Sequence, residues 1–114
     1  MKRTSLDYVN DILSCFQETQ EFTQGLDFKT FVGDRRTVNA VVRSLEVMGE
    51  AAKRIPEDIR QRYPKIPWKR MTGMRDKLIH EYSGVDLEII WTVVSEELPP
   101  LKPLMDDLRL YLES

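Results

Sequence analysis

Arg75, His80 and Tyr82 are the residues of this 114-residue chain best suited to chemistry. His80 is its one histidine, and imidazole is the side chain whose unperturbed pKa lies near neutrality. Arg75, five positions earlier, carries a planar guanidinium that stays charged and can grip a phosphate with two bonds. A base beside a phosphate clamp is sufficient for metal-free cleavage of RNA, because RNA brings its own nucleophile, the 2′-hydroxyl. A general acid or base of near-neutral pKa is worth about 10²–10⁴-fold, and fixed positive charge serves the phosphorane that develops on attack. Such a reaction would leave a 2′,3′-cyclic phosphate and a 5′-hydroxyl and would spare DNA. Tyr82 adds a phenol open to covalent modification. The competing reading is a charged helix end whose histidine is favoured by the local dipole. Arg-x4-His spacing alone does not separate the two.

Five residues on an ideal helix turn through about 140°, so Arg75 and His80 cannot aim at one atom from a single straight helix. Either the helix ends near His80 and the imidazole swings round, or two subunits contribute their pairs to one composite cleft across a symmetric interface. Arg75, Ile79 and Tyr82 share a face, which puts the phenol on the Arg75 side.

The elements that must position these groups all read as helix. Thr4-Ser5-Leu6-Asp7 resembles a capping box with Asp in place of Glu or Gln. Leu6, Val9, Leu13 and Phe16 form one apolar stripe, and Tyr8, Ile12, Cys15, Thr19 and Phe22 a second beside it, before Gly25 stops the helix. That arc is wide for one neighbour, and a subunit interface would use the excess. A short helix is expected near Phe28–Val32, with Gly33-Asp34 as stop and new N-cap. A long helix then runs from Arg35 to Arg54 with Val38, Val41, Val42, Leu45, Met48 and Ala52 inward. Gly49 within it costs about 1 kcal/mol relative to Ala, which suggests close approach of a helix or ligand. Pro56 opens a short turn to about Arg62, and Tyr63–Pro67 is a stiff linker. The motif helix follows, with Trp68, Met71, Met74, Leu78 and Ile79 buried and Ser83-Gly84 breaking it. Asp86 caps the next helix through Leu98, and Pro99-Pro100 starts the last. The expected fold is one all-α domain over residues 1–114, an antiparallel bundle of four main helices with short extras.

Composition narrows the classes. No window approaches the roughly 20 apolar residues of a membrane span, and no signal-peptide core opens the sequence. One cysteine cannot make an internal disulfide, which suits the cytoplasm. One His and one Cys do not supply a usual zinc set, so no metal site is expected. The net charge of −2 is uneven: from Lys53 to Lys77 nine bases face three acids, a surplus of six, and the remainder carries −8. Positive charge leading into Arg75–His80 is what a polyanion site needs; solvated helix faces are the alternative.

Beyond the three motif residues, several segments resemble one family. They are Asp34-Arg35-Arg36-Thr37-Val38, Gly49-Glu50-Ala51-Ala52, Ile66-Pro67-Trp68, the run Gly73 to Tyr82, and Val85-Asp86 leading to Trp91. The chain is similar to HEPN-domain ribonuclease toxins of the HepT type, whose Arg-x4-His-x-Tyr signature is matched at Arg75, His80 and Tyr82 over a resemblance that spans nearly the whole chain. The resemblance implies a homodimeric, metal-independent endoribonuclease acting on tRNA or mRNA, with Arg75 and His80 lining a composite interface cleft. It also implies a minimal nucleotidyltransferase antitoxin of the MntA type, which would use ATP and Mg²⁺ to transfer AMP to Tyr82. A bulky phosphodiester beside Arg75 would occupy the anion site and repel RNA. Glu50, Asp76 and Lys77 are supporting candidates: Glu50 to orient Arg75 or else to pair with Arg54 at i,i+4, the other two to contact RNA or else to be solvated. Cys15, Trp68, Trp91, Met71 and Met74 read as core. Two rival functions stand beside the ribonuclease: a non-catalytic nucleotide- or partner-binding subunit of a nucleotidyltransferase complex, and a structural dimerisation bundle.

Overall fold

The computed structural model describes the backbone of residues 2–80 and 86–114, and the side chains of 2–74 and 86–114. Every element among the described residues is helical. The order is α1 (Ser5–Thr23), α2 (Phe28–Gly33), α3 (Arg35–Lys53), α4 (Glu57–Arg62), α5 (Trp68–His80), α6 (Leu87–Thr92), a π-helical turn (Val93–Glu97), a 3₁₀ turn (Pro99–Leu101) and α7 (Lys102–Glu113).

Local chemistry sets most of these boundaries. The capping box at α1 is formed: the Thr4 amide donates to Asp7 Oδ2 at 2.8 Å, and the Asp7 amide donates to Thr4 Oγ1 at 3.2 Å. These bonds hold the Asp7 carboxyl below its ordinary range, the backbone amide of Thr4 contributing most. Gly25 ends α1 with φ +78°, a conformation that side chains with a Cβ resist. Asp34 both terminates α2 and caps α3, accepting the Thr37 amide at 3.1 Å and the Thr37 hydroxyl at 2.7 Å. Gly33 is still helical, so Asp34 rather than Gly33 makes the break. Asp86 caps α6 through the Glu88 amide at 2.8 Å.

The segment after α6 departs from the expected continuous helix. Pro99 and Pro100 have no N–H to donate back into the preceding turn. The Leu98 amide reaches one residue further, to the Val93 carbonyl at 2.9 Å, and the helix widens into a π turn. The Val94 carbonyl, bypassed by that shift, accepts from Gln20 Nε2 of α1 at 3.0 Å. The last α-helix therefore starts at Lys102, not at the prolines.

The core is one cluster. Val9, Ile12, Leu45, Met48, Ile90, Val94, Met105 and Leu108 lie within it, fully or almost fully buried. α3 packs on both α1 and α5, and α1 also packs on α7 and the π turn. Much of the α1 arc is therefore used inside the subunit, while Leu13 stays half-buried and Phe22 is exposed. A buried Ser44 hydroxyl donates to Glu18 Oε2 at 2.9 Å, bolting α3 to α1. Cys15 is buried here too. Desolvation, with the Glu18 and Asp11 carboxylates adding, pushes its thiol up to about 12, so it packs as a small hydrophobe and does not act as a nucleophile.

Candidate active site

α5 carries Arg75 and His80, and its first half is firmly seated. The Pro64–Pro67 approach delivers the chain with the Met71 amide bonded to the Pro67 carbonyl at 3.0 Å. Trp68, Met71 and Met74 are buried, as expected of core residues. The Trp68 indole donates to the Tyr63 carbonyl at 3.1 Å. Arg70 forms a two-pronged bond to Glu97, Nε to Oε1 at 2.5 Å and Nη2 to Oε2 at 2.8 Å. That bond raises the guanidinium's pKa above its already high value. It ties the first turn of α5 to the π turn, 27 residues away in sequence. Sequence reading missed this link, because nothing in local spacing joins residues so distant.

α5 continues through His80. Arg75 and His80 thus belong to one helix, about 7.5 Å apart along its axis and about 140° apart around it. The side chains of Arg75, Asp76, Lys77, Leu78, Ile79 and His80 lie outside the described residues, as do Glu81, Tyr82, Ser83, Gly84 and Val85 entirely. Glu50 pairs with Arg54 across an i,i+4 step at 3.4 Å, both groups well exposed. Gly49 is buried on α3, the helix that packs on α5.

The basic stretch is not one free patch. Arg60 turns back to cap the end of α3, donating from Nε to the Ile55 carbonyl at 2.9 Å and from Nη2 to the Ala52 carbonyl at 2.8 Å. Its guanidinium also lies 5.9 Å from the Trp68 ring centre. Arg62 stacks over Tyr111 at 4.2 Å, and Arg70 is held by Glu97. Lys65 and Lys69 remain exposed. Arg60→Met is accordingly expected to destabilise the chain by about 1–3 kcal/mol, chiefly the cost of leaving the Ile55 carbonyl without its donor, since the Ala52 carbonyl keeps the Ile55 amide. It should leave the salt dependence of RNA binding unchanged. Chemical denaturation and a salt titration measure the two separately.

A groove of about 800 Å³ runs beside this first half of α5, with Pro64, Pro67, Lys69, Gly73, Met74 and Ile89 in its lining. Gly73 is exposed and, among the described residues, a Cβ there would meet nothing within 4 Å. A glycine inside a helix costs about 1 kcal/mol relative to Ala, and among the described residues no packing contact offsets it here. Lys69, Gly73 and His80 stand four and seven residues apart, so they lie on one stripe of α5. An interior helical glycine was the available sequence signal for this position.

Among the described residues no group of three or more His, Cys, Asp or Glu is placed to hold a metal ion. No helix among them is long and apolar enough to cross a membrane.

The sequence model for ribonuclease HepT-like proteins matches residues 12–108, a span that includes Arg75, His80 and Tyr82. The chain belongs to the ribonuclease HepT-like family. A probable ribonuclease HepT of Thermococcus cleftensis is 46% identical over 96% of this chain and 99% of its own length. A candidate RNase of Methanocaldococcus jannaschii is 46% identical over 98% of this chain and 97% of its own. A third relative, a candidate RNase of Caldanaerobacter subterraneus, is 42% identical over 93% of this chain and 95% of its own. No solved structure matches the chain.

Proposed function

We propose that this HepT-like chain is a metal-independent endoribonuclease toxin of the cytoplasm, acting as a homodimer whose Arg75 and His80 pairs meet in one cleft. The observation that carries the reading is near full-length identity to proteins named as ribonucleases. The presence of both an arginine and the chain's one histidine on α5 supports it. One His80 removes the proton from the RNA 2′-hydroxyl, whose oxygen attacks the adjacent phosphorus. Arg75 holds the non-bridging oxygens as negative charge builds on them. The P–O5′ bond breaks and the leaving oxygen takes a proton from the partner subunit's copy of the imidazole. The off-state in this reading is AMPylation of Tyr82 by a minimal nucleotidyltransferase antitoxin. Its phenol oxygen attacks the α-phosphorus of ATP, pyrophosphate leaves, and Mg²⁺ serves that transfer and not the cleavage. The product places an anion where RNA phosphate must bind.

Purified protein incubated with tRNA and mRNA in EDTA tests the reading. Shortened RNAs ending in 2′,3′-cyclic phosphate are expected, with DNA of the same sequence intact. Cleavage abolished by EDTA, or products with 5′-phosphates, would overturn the mechanism. In a second arm, the nucleotidyltransferase with ATP and Mg²⁺ should add AMP to Tyr82 and silence cleavage, while Tyr82→Phe stays active and unmodified.

A further inference from the structure

We propose that the groove floored by Gly73 binds a nucleobase of the substrate RNA close to the scissile phosphate, with Lys69 on the adjoining backbone phosphate. This inference rests on the ribonuclease reading and deepens it. The groove's volume of about 800 Å³ lies within the roughly 300–1,000 Å³ of clefts that take small ligands. Two of its walls are prolines, Pro64 and Pro67, so it is stiff before anything binds. Met74 and Ile89 make its surface apolar, and Lys69 stands exposed at its edge. A flat apolar surface with a cation beside it is the chemistry of one nucleotide: a base to cover, a phosphate to neutralise. Arg70 lines the same groove, but its guanidinium is held by Glu97, which leaves the phosphate contact to Lys69.

Gly73 gives the groove its floor. Among the described residues, its exposed position in mid-helix meets no packing contact, and an outside occupant supplies one. The stripe then sets the register. Gly73 and His80 lie on the same face two turns apart, about 10.5 Å along the axis, a gap that one or two extended nucleotides span. Trp68 lines the groove but is only 7% exposed, so the base is held chiefly by apolar contact and shape. Binding should therefore tolerate any base. The exposed Lys65 and Lys69 favour a polyanion over a second copy of this chain as the occupant.

Fluorescence anisotropy with an oligoribonucleotide lacking the 2′-hydroxyl at the cut site separates the outcomes. Leu at position 73 fills the groove while remaining a good helix former. Gly73→Leu is expected to weaken binding about tenfold, as for one blocked anchor, with oligomeric mass unchanged on sizing. Lys69→Gln should weaken binding and flatten the salt slope by about 0.7, one single-strand phosphate. A scan of single abasic sites along the RNA, using the unmutated protein, should show the same loss at one position near the cut; this arm does not depend on how Gly73→Leu folds. Unchanged affinity in both variants and a flat abasic scan, with wild-type cleavage intact, overturn the groove and leave the ribonuclease standing. A wild type that neither binds nor cuts RNA sinks both. A changed oligomeric mass for Gly73→Leu assigns the groove to a second copy and overturns the proposal.

Discussion

His80→Ala should lower RNA cleavage by about 10²–10⁴-fold, the usual contribution of a positioned general acid or base, equivalent to about 2.7–5.5 kcal/mol of transition-state stabilisation. The loss should fall on kcat more than on KM, because the imidazole moves a proton and the phosphate is gripped by Arg75. Arg75→Ala should differ by raising KM as well. The pH profile is the sharper measurement. If the two imidazoles of a dimer act as base and acid, the wild-type rate rises and then falls with pH, and the residual rate of His80→Ala loses both limbs. Thermal melts should be near wild type, since the core that seats α5 is built from Trp68, Met71 and Met74, upstream of the substitution. Equal cleavage by the two proteins would remove His80 from the mechanism and favour the non-catalytic subunit.

The largest effect on stability is expected at Phe31. Its side chain is 0% exposed, and its ring centre lies 5.0 Å from that of Trp91, with Phe28 on the same indole at 6.3 Å. α2 has six residues, far below the length at which a helix persists alone. Docking of Phe31 between α3 and α6 is therefore what holds it in place. Phe31→Ala removes the ring and leaves a cavity, at about 3–5 kcal/mol. That is a large share of the roughly 5–15 kcal/mol that keeps a domain folded. The melting temperature should fall by about 10–20 °C; a fall of less than about 3 °C would show that α2 is not held by this ring. Catalysis measured well below the melting point should change far less than in His80→Ala, because Phe31 packs on the Trp91 ring of α6 and carries no group suited to proton transfer.

Helix ends were the most legible part of the chain. Thr4, Gly25, Asp34 and Asp86 act within three residues of the backbone groups they satisfy, so their roles can be read from a short window. Apolar spacing likewise marked Val41, Leu45, Met48 and Ala52 as one face of α3. The π turn was not legible, although its cause was. Pro99-Pro100 announces missing donors, but how the backbone absorbs them depends on Gln20 arriving from α1. Charge was the least legible feature. Arg60 and Arg70 look like neighbours in a basic run, yet one caps carbonyls of α3 and the other binds Glu97.

By itself the sequence determined the helical class and the family, and it singled out Arg75, His80 and Tyr82 as the candidates for chemistry, because residue type and local spacing carry that information. Tertiary structure alone decided which cations stay exposed beside α5, why α1 needs so broad an apolar face, and that a groove opens over Gly73. These depend on which distant surfaces meet, and a meeting between residues tens of positions apart leaves no local periodicity to read.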